Sequence, residues 1–100
     1  MKTSKYMKID PNLPYKRLYP ISLKFTKKNK GPKDVYVLCT PARPGNLFEI
    51  IPYNQLDKRY KDSFILGVSK DRTWLIDYIV TLVDELYNKK SLTYEMLQVE

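Results

Sequence analysis

Between Asp71 and Asn88 two apolar stripes climb the chain side by side: Leu75, Ile79, Leu82 and Leu86 in one, Ile76, Val80, Val83 and Tyr87 in the other. This 3.6-residue period predicts an amphipathic helix over 72–88, with Asp71 as N-cap and Asp77, Thr81, Asp84 and Asn88 on the opposing wet stripe. At 1.5 Å per residue it is about 26 Å long, enough to cross a four-stranded sheet. Asn88 is expected to end it in a left-handed conformation, with Lys89 and Lys90 near the negative end of the dipole. A helix this apolar has to lie against something, and a chain of 100 residues has room for one core only. The remaining residues must therefore supply the opposing layer.

They read as strands. Tyr19, Ile21, Leu23 and Phe25 alternate with Pro20, Ser22, Lys24 and Thr26, the period of a strand with one buried face, and Pro20 places it at a sheet edge. Asn29, Gly31 and Pro32 then mark a turn. Val35 to Thr40 is apolar on both faces, as a central strand is. After Pro41 to Gly45, Leu47 to Ile51 reads as a further strand closed by Pro52, and Phe64 to Val68 as another. Tyr53, Leu56 and Tyr60 are spaced as one face of a short helix with Asn54 as its cap, and Ser91 or Thr93 can cap a terminal helix through Met96 and Leu97. The order predicts an α+β fold: a small two-layer sandwich, an antiparallel sheet of about four strands with the long helix packed across one face. Residues 1–18, which hold Pro11 and Pro14 and no sustained period, read as a basic N-terminal arm, and 19–100 as a single α+β domain.

Charge is placed unevenly. The net charge is +7, but residues 1–33 alone carry +9 and residues 71–100 carry −3. Lysines and arginines interleave with tyrosines in that first third, the composition used to neutralise phosphates and stack bases. The candidate nucleic-acid-binding residues are Lys16, Arg17, Lys24, Lys27, Lys28, Lys30 and Lys33, with Lys58, Arg59 and Lys61 extending the patch. The strands at 35–40, 47–51 and 64–68 raise a second expectation, because one helix covers one face of a sheet and these runs are apolar on both. Either the chain covers the other face itself, or a second copy or protein partner does.

Catalysis has little to work with. The chain has no histidine, which removes the usual general base near neutral pH, and with one cysteine it offers no zinc-type ligand set. Cys39 reads as a small hydrophobe inside a strand, and as a lone cysteine it fits a reducing compartment. Gly67 to Arg72 runs from a strand into a helix N-terminus, but a single glycine and an aspartate make a poor phosphate cradle. Residues 1–15 lack the apolar run of a signal peptide, and no stretch is apolar enough for a membrane span, so a cytoplasmic location is expected. The sequence thus points to a non-enzymatic basic binding module without cofactor or metal, contacting nucleic-acid phosphates. Its alternative is a protein–protein interaction domain, a homodimer or an inhibitor or adaptor subunit, using an apolar sheet face.

Overall fold

The computed structural model describes residues 1–13 and 34–100. The expected edge strand at 19–26, the turn after it and all seven candidate cations from Lys16 to Lys33 lie outside these residues. Four strands form one sheet: β1 (Lys2–Ile9), β2 (Tyr36–Cys39), β3 (Glu49–Pro52) and β4 (Phe64–Ser69), in the order β1-β4-β2-β3. Helix α1 (Arg72–Val83) runs on through a π-helical turn at Asp84–Asn88, and α2 (Tyr94–Leu97) closes the chain. The α+β architecture with one long helix on the sheet is as the pattern predicts. The sheet, however, is mixed: β2 pairs antiparallel with both β3 and β4, while β1 runs parallel to β4.

The arm expected at residues 1–18 is replaced over Lys2–Ile9 by β1. Its sequence hid this because β1 is bulged. Between Thr3↔Ile65 and Lys8↔Gly67 it advances five residues while β4 advances two, which destroys any two-residue alternation. Within the bulge the Ser4 hydroxyl accepts from the Tyr6 amide at 3.1 Å, the Lys5 amide donates to the Val99 carbonyl at 2.8 Å, and the Tyr6 carbonyl accepts from the Tyr78 hydroxyl at 2.7 Å. The Lys5 and Tyr6 amides and the Tyr6 carbonyl thus find partners outside the β1–β4 ladder.

Asp71 caps α1 as expected, its carboxylate accepting from the Thr73 amide at 2.9 Å. The left-handed residue beyond the helix is Lys90 (φ 53°), two positions past Asn88, because the π turn carries the helix further and uses the Asn88 side chain to donate to Asp84. Thr93 caps α2. Tyr53, Leu56 and Tyr60 are all buried, as their spacing requires, but two 3-10 turns at Tyr53–Gln55 and Lys58–Tyr60 carry them instead of a helix. Asp57 caps the second of these turns.

Two apolar clusters sandwich the sheet. On the helix side Leu38 and Leu66 meet Leu75, Tyr78 and Leu82 of α1, with Leu92 and Leu97 filling the end. Each fully buried leucine contributes about 1.5–3 kcal/mol of transfer free energy. Gly67 allows the close approach, since a Cβ there would stand 3.0 Å from Leu75 Cδ2. On the other side Val37, Cys39, Ile65 and Val68 pack under Leu13, Ile51, Tyr53, Leu56 and Tyr60. The second sheet face is therefore covered from within the chain, and no apolar sheet face is open among the described residues.

Candidate functional site

Outside 14–33 the chain carries eleven cations and eleven anions, so the entire excess of +7 belongs to those twenty residues. The cations that the structure describes near the N-terminus are held against rings. Lys2 lies over Phe64 at 5.5 Å, Lys5 over Tyr6 at 5.5 Å, and Lys8 over Tyr78 at 4.9 Å. Lys58 and Lys61 are exposed, while Arg59 is bound to the Asp57 carboxylate through Nε at 3.0 and 3.1 Å and lies over the Tyr60 ring. Lys70 pairs with Asp34 at 2.9 Å, immediately before β2.

The groups with chemical potential are engaged in structure. Burial, with the Glu49 carboxylate adding to it, pushes the Cys39 thiol up to about 12, so it stays protonated and unreactive near neutral pH. Tyr60 donates to Glu49 at 2.6 Å, and burial followed by that hydrogen bond raises its phenol well above the ordinary range. Asp10, 5% exposed, accepts from the Ser69 hydroxyl at 2.6 Å and from the Asn12 amide at 2.9 Å, while Ser69 accepts from the Asp71 amide. This network ties the ends of the parallel pair β1–β4 to the start of α1. Among the described residues no three histidines, cysteines or acids are grouped as metal ligands would be, and no helix is long and apolar enough to cross a membrane.

Two surface features are not absorbed by the fold. The first is a cleft of about 320 Å³ between the loop at 40–47, the turn at 59–63 and α2. Gly45, at φ 118°, turns the loop through a backbone conformation that side chains rarely adopt. Arg43 and Arg59 stand in its wall with Asn46, Gln98 and Tyr94. At its base are two buried hydroxyls, Thr40 (2% exposed) and Ser63 (4% exposed). Thr40 Oγ1 accepts from the Phe64 amide at 2.8 Å, and the Ser63 hydroxyl has no hydrogen-bond partner among the described residues. In the sequence Pro41 to Gly45 reads as the break between two strands and Arg59 as an extension of the lysine patch. The convergence of Arg43, Arg59 and Ser63 depends on the β2–β4 pairing and has no local signature.

The second feature is the outer side of α1. Of the two stripes in the sequence, Leu75 and Leu82 of the first are buried, whereas Ile76 (47%), Val80 (62%) and Tyr87 (58%) of the second are exposed. A shallow groove beside them is lined by Ile79, Val80, Val83, Asp84 and Lys89 among others. Comparison with protein-family models, with curated proteins and with solved structures finds no match to this chain.

Proposed function

We propose that the protein is a small non-enzymatic binding module of the cytoplasm that contacts nucleic-acid phosphates through Lys16, Arg17, Lys24, Lys27, Lys28, Lys30 and Lys33. The observation that carries this reading is the segregation of charge: seven cations and no anion within residues 14–33, against a balance of zero everywhere else. A segment of that kind attracts a polyanion by releasing its counterions, whereas a surface with both signs interspersed does not. The non-enzymatic part of the reading is supported by the absence of histidine and by the engagement of Cys39, Tyr60 and Asp10 in the core. The compartment is supported by a lone, buried Cys39.

The test is fluorescence anisotropy with a labelled single-stranded oligonucleotide between 50 and 200 mM salt. Seven phosphate contacts predict a log–log slope of magnitude about 5. Replacing Lys27, Lys28 and Lys30 by Glu is expected to lower affinity at least tenfold. Absent or salt-independent binding overturns the reading.

The alternative, a protein-interaction domain, is favoured by one specific observation, the exposed Ile76, Val80 and Tyr87 on the long helix. The surface is then the outer side of α1 rather than a sheet face, and its occupant is a second copy of this chain.

A further inference from the structure

We propose that the cleft between the 40–47 loop and the 59–63 turn binds a nucleotide unit, phosphate against Arg43 and Arg59 and base against Tyr94. This rests on the nucleic-acid reading above and gives it a second contact point, among the described residues.

The starting observation is Ser63. It is 4% exposed, lines the cleft, and its hydroxyl has no partner among the described residues. Buried hydroxyls are nearly always paired, because an unpaired one forfeits its hydrogen bonds to water without replacement. Thr40 beside it uses an Oγ1 lone pair on the Phe64 amide and gives its proton to no described residue, so both hydroxyls at the base are available to an acceptor.

What accepts is indicated by the walls. Asp57 occupies Nε of Arg59, which leaves the Nη donors, and the exposed Arg43 has no hydrogen-bonded or ion-paired partner among the described residues. Two guanidinium groups and two hydroxyls are a donor set suited to a phosphate, whose oxygens accept from planar forks in pairs. Asp62 also lines the cleft and, with the Asp57 carboxylate bound to Arg59, balances the two guanidinium charges, so a phosphate is held here by directed donors rather than by net charge. A bare ion would not need the rest of the lining. Tyr94, its hydroxyl fixed on the Leu47 carbonyl at 2.8 Å and its ring beside Phe48, presents a held aromatic surface of the kind on which bases stack. Asn46 and Gln98 supply the paired donor and acceptor that base edges require. The volume of about 320 Å³ is at the small end of ligand sites, which suits one nucleotide rather than a longer segment.

The shared chemistry, a nucleoside monophosphate, can be free or part of a single strand, and the experiment separates the two. Adenosine monophosphate, inorganic phosphate and a labelled ten-nucleotide single strand are each titrated into the full chain, followed by amide chemical shifts and, for the strand, by anisotropy. The expected result is saturable shifts confined to 40–47, 59–63 and 94–98 with adenosine monophosphate. Arg43→Ala should weaken that binding roughly ten- to hundredfold and Ser63→Ala a few-fold, the latter with its unfolding midpoint preserved because the hydroxyl has no partner to lose among the described residues. Adenosine monophosphate binding no tighter than inorganic phosphate overturns the nucleotide assignment, and wild-type affinity in both variants overturns the site. The charge reversal at Lys27, Lys28 and Lys30 is expected to leave mononucleotide binding within twofold while weakening the strand. A strand that ignores Arg43→Ala while adenosine monophosphate depends on Arg43 identifies the free nucleotide as the occupant; a strand and a mononucleotide that both ignore it sink this inference and leave the broader reading standing. If the strand binds through the cleft and ignores the lysines, the cleft survives and the lysine reading falls.

Discussion

Asp10 and Ser69 are 59 positions apart in sequence and 2.6 Å apart in space, and both are almost wholly buried. A buried carboxylate is tolerated only while its oxygens are donated to, so the Ser69 hydroxyl satisfies a group whose isolation would be expensive. Ser69→Ala removes that donor and also the acceptor of the Asp71 amide at the start of α1. The expected cost is about 1.5–3 kcal/mol, read as a lower urea midpoint at unchanged slope. A variant within about 0.5 kcal/mol of wild type would show that the bond adds little. Residues whose partners are local were legible in the sequence. Asp71 and Thr93 cap helices because a short polar side chain reaches an amide two or three positions on, and Cys39 is buried because its neighbours are apolar. Asp10 was not legible, since nothing within several residues indicates that it faces Ser69.

At the scale of elements, the period of 72–88 identified which α1 residues are apolar but not which of the two stripes the sheet would take. A helix laid on a sheet buries the stripe beneath it. Here Leu75, Tyr78 and Leu82, at i, i+3 and i+7, occupy that place, and Ile76 and Val80 are turned to solvent. Tyr78 fell on neither predicted stripe; its phenol reaches over the sheet to the Tyr6 carbonyl that the β1 bulge sets free. If a second copy covers the outer side of α1, light scattering across a concentration series gives the mass of a dimer. Val80→Asp then weakens the pair at least tenfold, about 1.4 kcal/mol. A wild-type monomer at every concentration rules that surface out. β1 is the one described element the sequence did not signal. Strands reveal themselves by alternation, and alternation is lost where a bulge changes the register partway along.

For the whole molecule, the layer order was legible because one long helix and several short β-branched runs admit few arrangements in 100 residues. The direction of β1 was not, because its partner β4 lies more than half the chain away, Lys2 opposite Phe64. The cleft was invisible for the same reason: its walls come from three separated segments that only the sheet brings together. The consequence for stability is that residues 1–10 are part of the fold rather than a removable arm. A chain beginning at residue 11 loses β1, the Asp10–Ser69 bond and the packing of Met7 and Ile9 on the core, and leaves an edge of β4 unpaired. Such a chain is expected to lose its cooperative thermal transition, measured by circular dichroism. A sharp melt near the wild-type temperature would show that β1 is dispensable.

The parallel pairing of β1 with β4 also sets an order of events during synthesis. Lys2 is opposite Phe64, so at about 5–20 residues per second the first strand waits roughly 3 to 12 seconds for its partner to be made. For that interval its amides and carbonyls have no ladder partner and are open to any other strand that diffuses past. Lys2, Lys5 and Lys8 recur every third residue along it. Charge at that density discourages edge-to-edge association of nascent chains, so these lysines guard the strand before it has a sheet to join.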